Sequence, residues 1–204
     1  MKTSKILVTG MSGLIGGLAG RQFAENYDVS ALGRSNVEGF PTSLVDIGDG
    51  IDDILPALEG VETVIHMAGS RGNVPAETHI KANVTGVYNL FESCRIAGVK
   101  RIVAASTGAV IAGYEKDEPY KSLVHDTDFE MPSPRPIITV DSPVRPRNMY
   151  SVSKMFTENL GRMYSEQHDM SIICIRIGKV EIDDVPLNAR NASVWCSHRD
   201  ILQM

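Results

Sequence analysis

The sequence predicts an α/β fold, a doubly wound parallel sheet, on three observations. Short apolar runs alternate with stretches of helical period along most of the 204 residues. The first run passes through a glycine-rich turn into a helix, and later runs also end on glycine or small residues. Such alternation requires right-handed crossovers, which place helices on both faces of the sheet. Ligands of sheets of this kind bind beyond the carboxyl ends of the strands. The length suits one domain with a full α/β core.

Lys5-Ile-Leu-Val-Thr9 reads as a buried strand, followed by Gly10-Met-Ser-Gly13-Leu-Ile-Gly16 and a helical pattern through Leu18, Phe23 and Ala24. Gly10 suits the tight turn, Gly13 the close approach of backbone to a pyrophosphate, and Gly16 the packing of helix against strand. The helix start then offers free amides and a positive dipole end to phosphates. Residues 28–32 form a second strand that ends at Gly33-Arg34-Ser35. A short strand around 43–45 leads to Asp46-Ile47, and residues 51–58 read as an amphipathic helix.

Residues 63–67 form a strand closing on Ala68-Gly69-Ser70. Helical period resumes over 77–97, with Ile80, Val84, Val87, Leu90, Phe91 and Cys94 on the apolar face. Asn83 falls near that stripe, either as a solvated edge residue or as a polar bridge to neighbouring strands. Residues 100–105 are a buried strand ending at Ser106-Thr107-Gly108. Gly10, Gly33, Ala68 to Ser70 and Ser106-Thr107 therefore fall on one edge of the sheet.

From 113 to 148 the period is lost, and Pro119, Pro132, Pro134, Pro136, Pro143 and Pro146 divide the segment. A loop this long inside a compact domain reads as a substrate-side excursion, with short strands near 137–140. Residues 149–168 then form a helix that buries Met155, Phe156, Leu160, Met163 and Tyr164. Residues 171–177 are the next strand, ending at Gly178-Lys179, and the tail stops in the first turns of a further helix. In Tyr150-Ser-Val-Ser-Lys154 the tyrosine and lysine share a helix face, so the ammonium lies beside the phenol and favours its deprotonated form. A phenol with an ordinary pKa of about 10 needs such a charge to act as an acid or base near neutral pH.

Composition narrows the classes. The chain is 43% hydrophobic and 22% charged, with a net charge of −5, which argues against general nucleic-acid binding. The basic start is followed by an apolar run of residues 6–8 only, too short for an export signal, and no run approaches a membrane span. Cys94, Cys174 and Cys196 are odd in number and far apart, which fits reduced thiols rather than a disulfide framework. His66, His79, His125, His168 and His198 show no metal-ligand spacing, so no metal site and a cytoplasmic location are expected.

Thr9-Gly10-x-x-Gly13-x-x-Gly16, Asp46-Ile47, His66-Met-Ala-Gly69, Asn83 with Gly86 and Asn89-Leu90, Ser106-Thr107, Tyr150-x-x-x-Lys154 and Arg176-Ile-Gly178 occur in this order across nearly the whole chain. In this the sequence closely resembles the extended short-chain dehydrogenase/reductase (SDR) superfamily, and within it the NAD-dependent epimerase/dehydratase family. The short path from Arg176-Ile-Gly178 to Trp195-Cys-Ser-His-Arg-Asp200 resembles the compact, uronate-dehydrogenase-like branch. The resemblance implies a Rossmann fold over residues 1–178, with 113–148 as the excursion. It also implies that 179–204 begin a reduced or incomplete C-terminal substrate region, since relatives continue past this segment.

By the same resemblance, Tyr150 is the catalytic acid/base, Lys154 lowers its pKa and holds the nicotinamide ribose, and Thr107 bonds the substrate oxygen. The cofactor site it implies comprises Gly10, Ser12, Gly13, Leu14, Ile15 and Gly16, then Arg34, Asp46 and Ile47. It continues through Met67, Ala68, Gly69, Asn83 and Ile177, together with Tyr150 and Lys154. Gly33 stands where an acidic residue would accept from ribose hydroxyls, and Arg34 beside it favours NADP over NAD. Ser70, Arg71, Thr107 and Lys179 are the substrate-side candidates; Arg71, Lys179 and Arg190 suit a carboxylate by charge. The expected activity is NAD(P)-dependent oxidation or epimerisation of a sugar, sugar acid or nucleotide sugar by a homodimer. A reading from another class is a non-catalytic NAD(P)-binding sensor or interaction protein with a truncated substrate lobe.

Overall fold

A computed structural model describes residues 4–125, 130, 133–134 and 136–204. Six strands, β1 (Lys5–Thr9), β2 (Asp28–Gly33), β3 (Thr42–Leu44), β4 (Thr63–His66), β5 (Arg101–Thr107) and β6 (Ser171–Ile177), form one sheet in the order β3-β2-β1-β4-β5-β6. Every pairing is parallel. This is the doubly wound topology expected, with the order reversing between β1 and β4. The apolar run at β1 is continuous because both faces are covered. Leu7 enters the core that holds Val64, Ile102, Leu90, Phe91 and Tyr164, while Ile6 and Val8 enter a second core with Met11, Val29 and Ile65.

Helix α1 (Leu14–Ala24) follows β1. Residues 51–58 divide into α2 (Ile51–Ile54) and a 3-10 turn at Leu55–Leu58, where Pro56 removes an amide that a continuous α-helix would use. The helix expected over 77–97 is three pieces: α3 (Ala76–His79), a π-helical stretch (Ile80–Thr85) and α4 (Gly86–Ala97). The wide turn carries Asn83 into the interior and leaves Ile80 exposed, against its expected place on the apolar face. Asn83 is the polar bridge rather than the solvated edge residue.

The excursion is more structured than its proline content suggests. It opens in a 3-10 helix (Gly108–Lys116) and continues in α5 (Tyr120–His125). Its two ends meet: the Gly113 amide donates to the Arg145 carbonyl, 2.6 Å away, and the Arg145 amide donates to Val110, 2.8 Å away. A side chain at Gly113 would collide with the Arg145 carbonyl. No strand forms at 137–140, where Ile137 and Val140 are exposed and Thr139 and Ser142 bond each other in a turn. Pro132 lies outside the described residues.

Helix α6 (Met149–Gln167) starts on a capping box, in which the Asn148 carboxamide accepts from the Ser151 amide and the Ser151 hydroxyl accepts from the Asn148 amide. The cap puts Tyr150 in the first turn and Lys154 one turn later. Gly161 lets α6 approach β6 closely against Ile172 and Cys174. Leu160 and Tyr164 are buried as expected, but Met163 is exposed, because the helix turns Ser153, Lys154 and Thr157 inward instead. After β6 the chain forms α7 (Ala189–Ser193) and α8 (His198–Gln203), and the Ser197 hydroxyl caps α8. Two residues past β6, Lys179 forms an isolated parallel bridge with Trp195.

Candidate active site

A cleft of about 1290 Å³ opens at the carboxyl edge of the sheet, over the β1/β4 switch point. The predicted site residues line it except Asn83, which lies beneath, and the carboxylate candidate Arg190. Gly10 has φ +70°, and a Cβ there would stand 2.5 Å from the Ala68 amide nitrogen. A Cβ on Gly16 would collide with the Gly10 carbonyl. A Cβ on Gly13 would stand 3.3 Å from the Gly10 carbonyl oxygen, and Gly13 caps α1 with no side-chain bond, so the first amides of the helix are left for a ligand. The cradle fits a pyrophosphate.

Farther along, Ile47 is buried against Gly86, which has no side chain to displace it, and the Asn89 carboxamide donates to the Ile47 carbonyl at 2.9 Å. Asp46 accepts from the Gly48 amide at 2.9 Å. Lys81, which the sequence reading did not single out, lies 3.6 Å from Asp46 and 2.9 Å from Asp49, and the hydrogen bond to Asp49 first, then the two carboxylate charges, raise its pKa. Its only sequence signal was a lysine one turn from the helix start. Arg34 is exposed at this end and makes no ion pair among the described residues.

At the other end, Thr107, Tyr150 and Lys154 come together. Lys154 is 4% exposed and donates to the Ala105 carbonyl at 2.9 Å. Burial lowers its pKa to about 8. The expectation that Lys154 lowers the Tyr150 pKa differs from the structure, in which burial raises it, opposed by a hydrogen bond from Thr107 and the charge of Arg71. The Lys154 ammonium is instead committed to the strand carbonyl. Asn83 accepts from the Ser70 amide at 2.8 Å and donates to the Ser70 carbonyl and the Ser153 hydroxyl, both at 2.9 Å.

Under the strand ends, Arg176 grips Glu158 in a bidentate pair, and the Ser106 hydroxyl donates to the same carboxylate. Both serine and arginine stood in the motifs, but their common partner was invisible without the fold. Of the three basic candidates, Lys179 pairs with Glu181 at 3.4 Å, and Arg190 pairs with Glu115 at 2.7 Å outside the cleft. Arg71 lines the cleft and makes no ion pair among the described residues.

Sheet order, glycine cradle and cleft together define a Rossmann-type dinucleotide fold. The chain belongs to the NAD dependent epimerase/dehydratase family, whose model matches residues 6–182. It is 30% identical to L-arabinose 1-dehydrogenase (NAD(P)(+)) of Haloferax volcanii over 86% of this chain and 66% of that protein. It is 28% identical to uronate dehydrogenase of Agrobacterium fabrum over 98% of this chain and 69% of that one. A mutant uronate dehydrogenase from Agrobacterium tumefaciens, crystallised in complex with NAD, superposes with a TM-score of 0.81 at 27% identity, covering 98% of this chain and 69% of its own. The chain thus spans about two thirds of the length of these relatives.

Lys154 carries a stability cost with a defined sign. Its pKa is 10.5 in water and about 8 in the folded protein, so between these values the unfolded chain binds more protons and stability rises with pH. Lys154→Met is expected to stabilise the protein at pH 7 by about 2 kcal/mol, after about 1 kcal/mol is lost for the unpaired Ala105 carbonyl. Urea unfolding at pH 7 and pH 10 should show the gain shrinking at the higher pH. An equal or lower stability of the variant at pH 7 would refute the assignment.

Proposed function

We propose that the chain is an NAD(P)-dependent oxidoreductase or epimerase acting on a sugar or sugar acid, with Thr107, Tyr150 and Lys154 as its catalytic residues. The observation that carries this is their meeting at one end of a cleft whose other end is a glycine cradle. Residues 1–178 form the cofactor unit and 179–204 begin the substrate side. When bound, a nicotinamide dinucleotide supplies the hydride chemistry. Gly10, Gly13 and the first amides of α1 hold its pyrophosphate, Asp46 and Ile47 its adenine, and Lys154 its ribose.

Thr107 holds the substrate oxygen and Tyr150 exchanges the proton at its phenol oxygen. Burial keeps the phenol protonated at neutral pH, so Tyr150 is ready to donate to a carbonyl oxygen and must first lose its proton to act as a base. Ser70 and the unpaired Arg71 face the substrate, and Arg71 suits a carboxylate. Tyr150→Phe is expected to lower turnover by about 10²–10⁴-fold while dinucleotide affinity holds within a few-fold. Steady-state rates and calorimetry on the two proteins decide it; full turnover in the variant removes the catalytic reading and leaves a nucleotide-binding role.

Arg34 favours NADP. Its guanidinium, exposed in the cleft and without an ion pair among the described residues, suits a 2′-phosphate. Arg34→Ala should weaken NADP binding by about 10–100-fold, as the loss of a charged hydrogen-bond partner implies, and leave NAD binding nearly unaltered. Equal losses for both cofactors in calorimetry would sink this assignment.

The protein is a homodimer in this reading. Tyr88 and Ile96 on α4 and Val152 and Met163 on α6 are exposed apolar residues on two helices that touch each other. An apolar ridge shared by neighbouring helices suits a second copy of itself. Light scattering at micromolar concentration should give twice the 22.2 kDa chain mass; a monomer mass contradicts it.

A further inference from the structure

His79 is the last residue of α3, only 3% exposed, and has no part in the chemistry above. A buried imidazole needs partners for its ring nitrogens. Its Nδ1 lies 2.9 Å from the Ser70 hydroxyl, and its ring packs on Tyr150 with centroids 5.8 Å apart and planes tilted by 49°. The two contacts close a circuit. The Ser70 backbone is held on both sides by Asn83, Asn83 donates to Ser153, and the Ser153 hydroxyl donates to the Tyr150 carbonyl at 2.7 Å. Tyr150 is thereby fixed through its backbone from below and against its ring from the side.

We propose that His79 is a positioning residue of the reaction: its ring walls the Tyr150 phenol into place, and its Nδ1 orients the Ser70 hydroxyl towards the substrate. The proposal rests on the reading of Tyr150 as the acid/base. The two contacts act on different steps. Misplacing the phenol impairs proton transfer and lowers kcat, because a displacement of about 1 Å is enough to cost about 100-fold. Freeing the Ser70 hydroxyl weakens a contact made equally to substrate and transition state, which raises KM.

His79→Phe keeps a ring against Tyr150 and loses the Ser70 bond, His79→Ala loses both, and Ser70→Ala keeps the ring contact and loses the bond together with the hydroxyl that faces the substrate. His79→Ala is expected to lower kcat by about 10–100-fold. His79→Phe should recover most of that kcat while raising KM by about 3–10-fold, as Ser70→Ala does. The Tyr150 phenol, followed in the cofactor-free protein as the ultraviolet titration missing from Tyr150→Phe, should change its midpoint in His79→Ala and return in His79→Phe. A folded His79→Ala with native kcat and native midpoint overturns the proposal, and so does a His79→Phe as impaired as His79→Ala. If His79→Ala fails to fold, the KM rise in His79→Phe and Ser70→Ala decides, and its absence in both is a refutation. Native turnover in Tyr150→Phe would remove the catalytic reading instead, and the phenol midpoint would still report whether His79 sets Tyr150.

Discussion

The carboxamide of Asn83 is the interaction on which the active end of the cleft depends. It is fully buried, and its three bonds reach the loop after β4 and the first turn of α6, joining segments 13 and 70 residues away in sequence. In a region of low dielectric such a network is strong when complete and costly when one member is lost. The π-helical stretch is what brings Asn83 to this depth, so the backbone irregularity and the side-chain network are one device. Gly69 completes it, since a Cβ there would stand 2.7 Å from the Asn83 carbonyl oxygen.

Around that frame the protein keeps ionisable groups in environments that oppose their charge. Lys154 is pushed down to about 8, and His66, fully buried at the end of β4, is pushed to about 3 by burial first and by the charge of Lys154 second. His66 is therefore neutral, and its Nδ1 lies 2.7 Å from the Thr9 hydroxyl, which accepts from the Ala68 amide. This links the glycine turn to the loop beside it. Tyr150 is raised and Lys154 lowered, each by burial first, so both shifts favour the uncharged forms.

Much of this was legible in the chain. The strands β1 and β4 were readable because each is a short apolar run buried on both faces, and the cradle because Gly10 and Gly16 sit where only backbone fits. Tyr150 and Lys154 were readable because four residues make one helical turn. What escaped was whatever depends on distant partners. Ile80 and Met163 were misplaced because apolar period assumes uniform helix geometry and the same buried face throughout. The raised Tyr150 pKa escaped because it comes from burial of the phenol, which local spacing does not report. His79 escaped because its role is set by Ser70 and Tyr150, which no spacing rule connects.

The neck formed by Gly113 and Arg145 has a consequence for how such a protein can change. The chain departs at Gly113 and returns beside it at Arg145, five residues before Tyr150. The entropy of closing a loop grows slowly, by about 0.6 kcal/mol for each doubling of length. Lengthening the enclosed segment therefore costs little closure entropy, whereas changing Glu115 within it removes the ion pairs to Arg147, beside the cap of α6, and to Arg190. A loop of different length can thus hang from the same neck while Tyr150 and Lys154 keep positions set by the capping box and by the Ala105 carbonyl, which lie outside it.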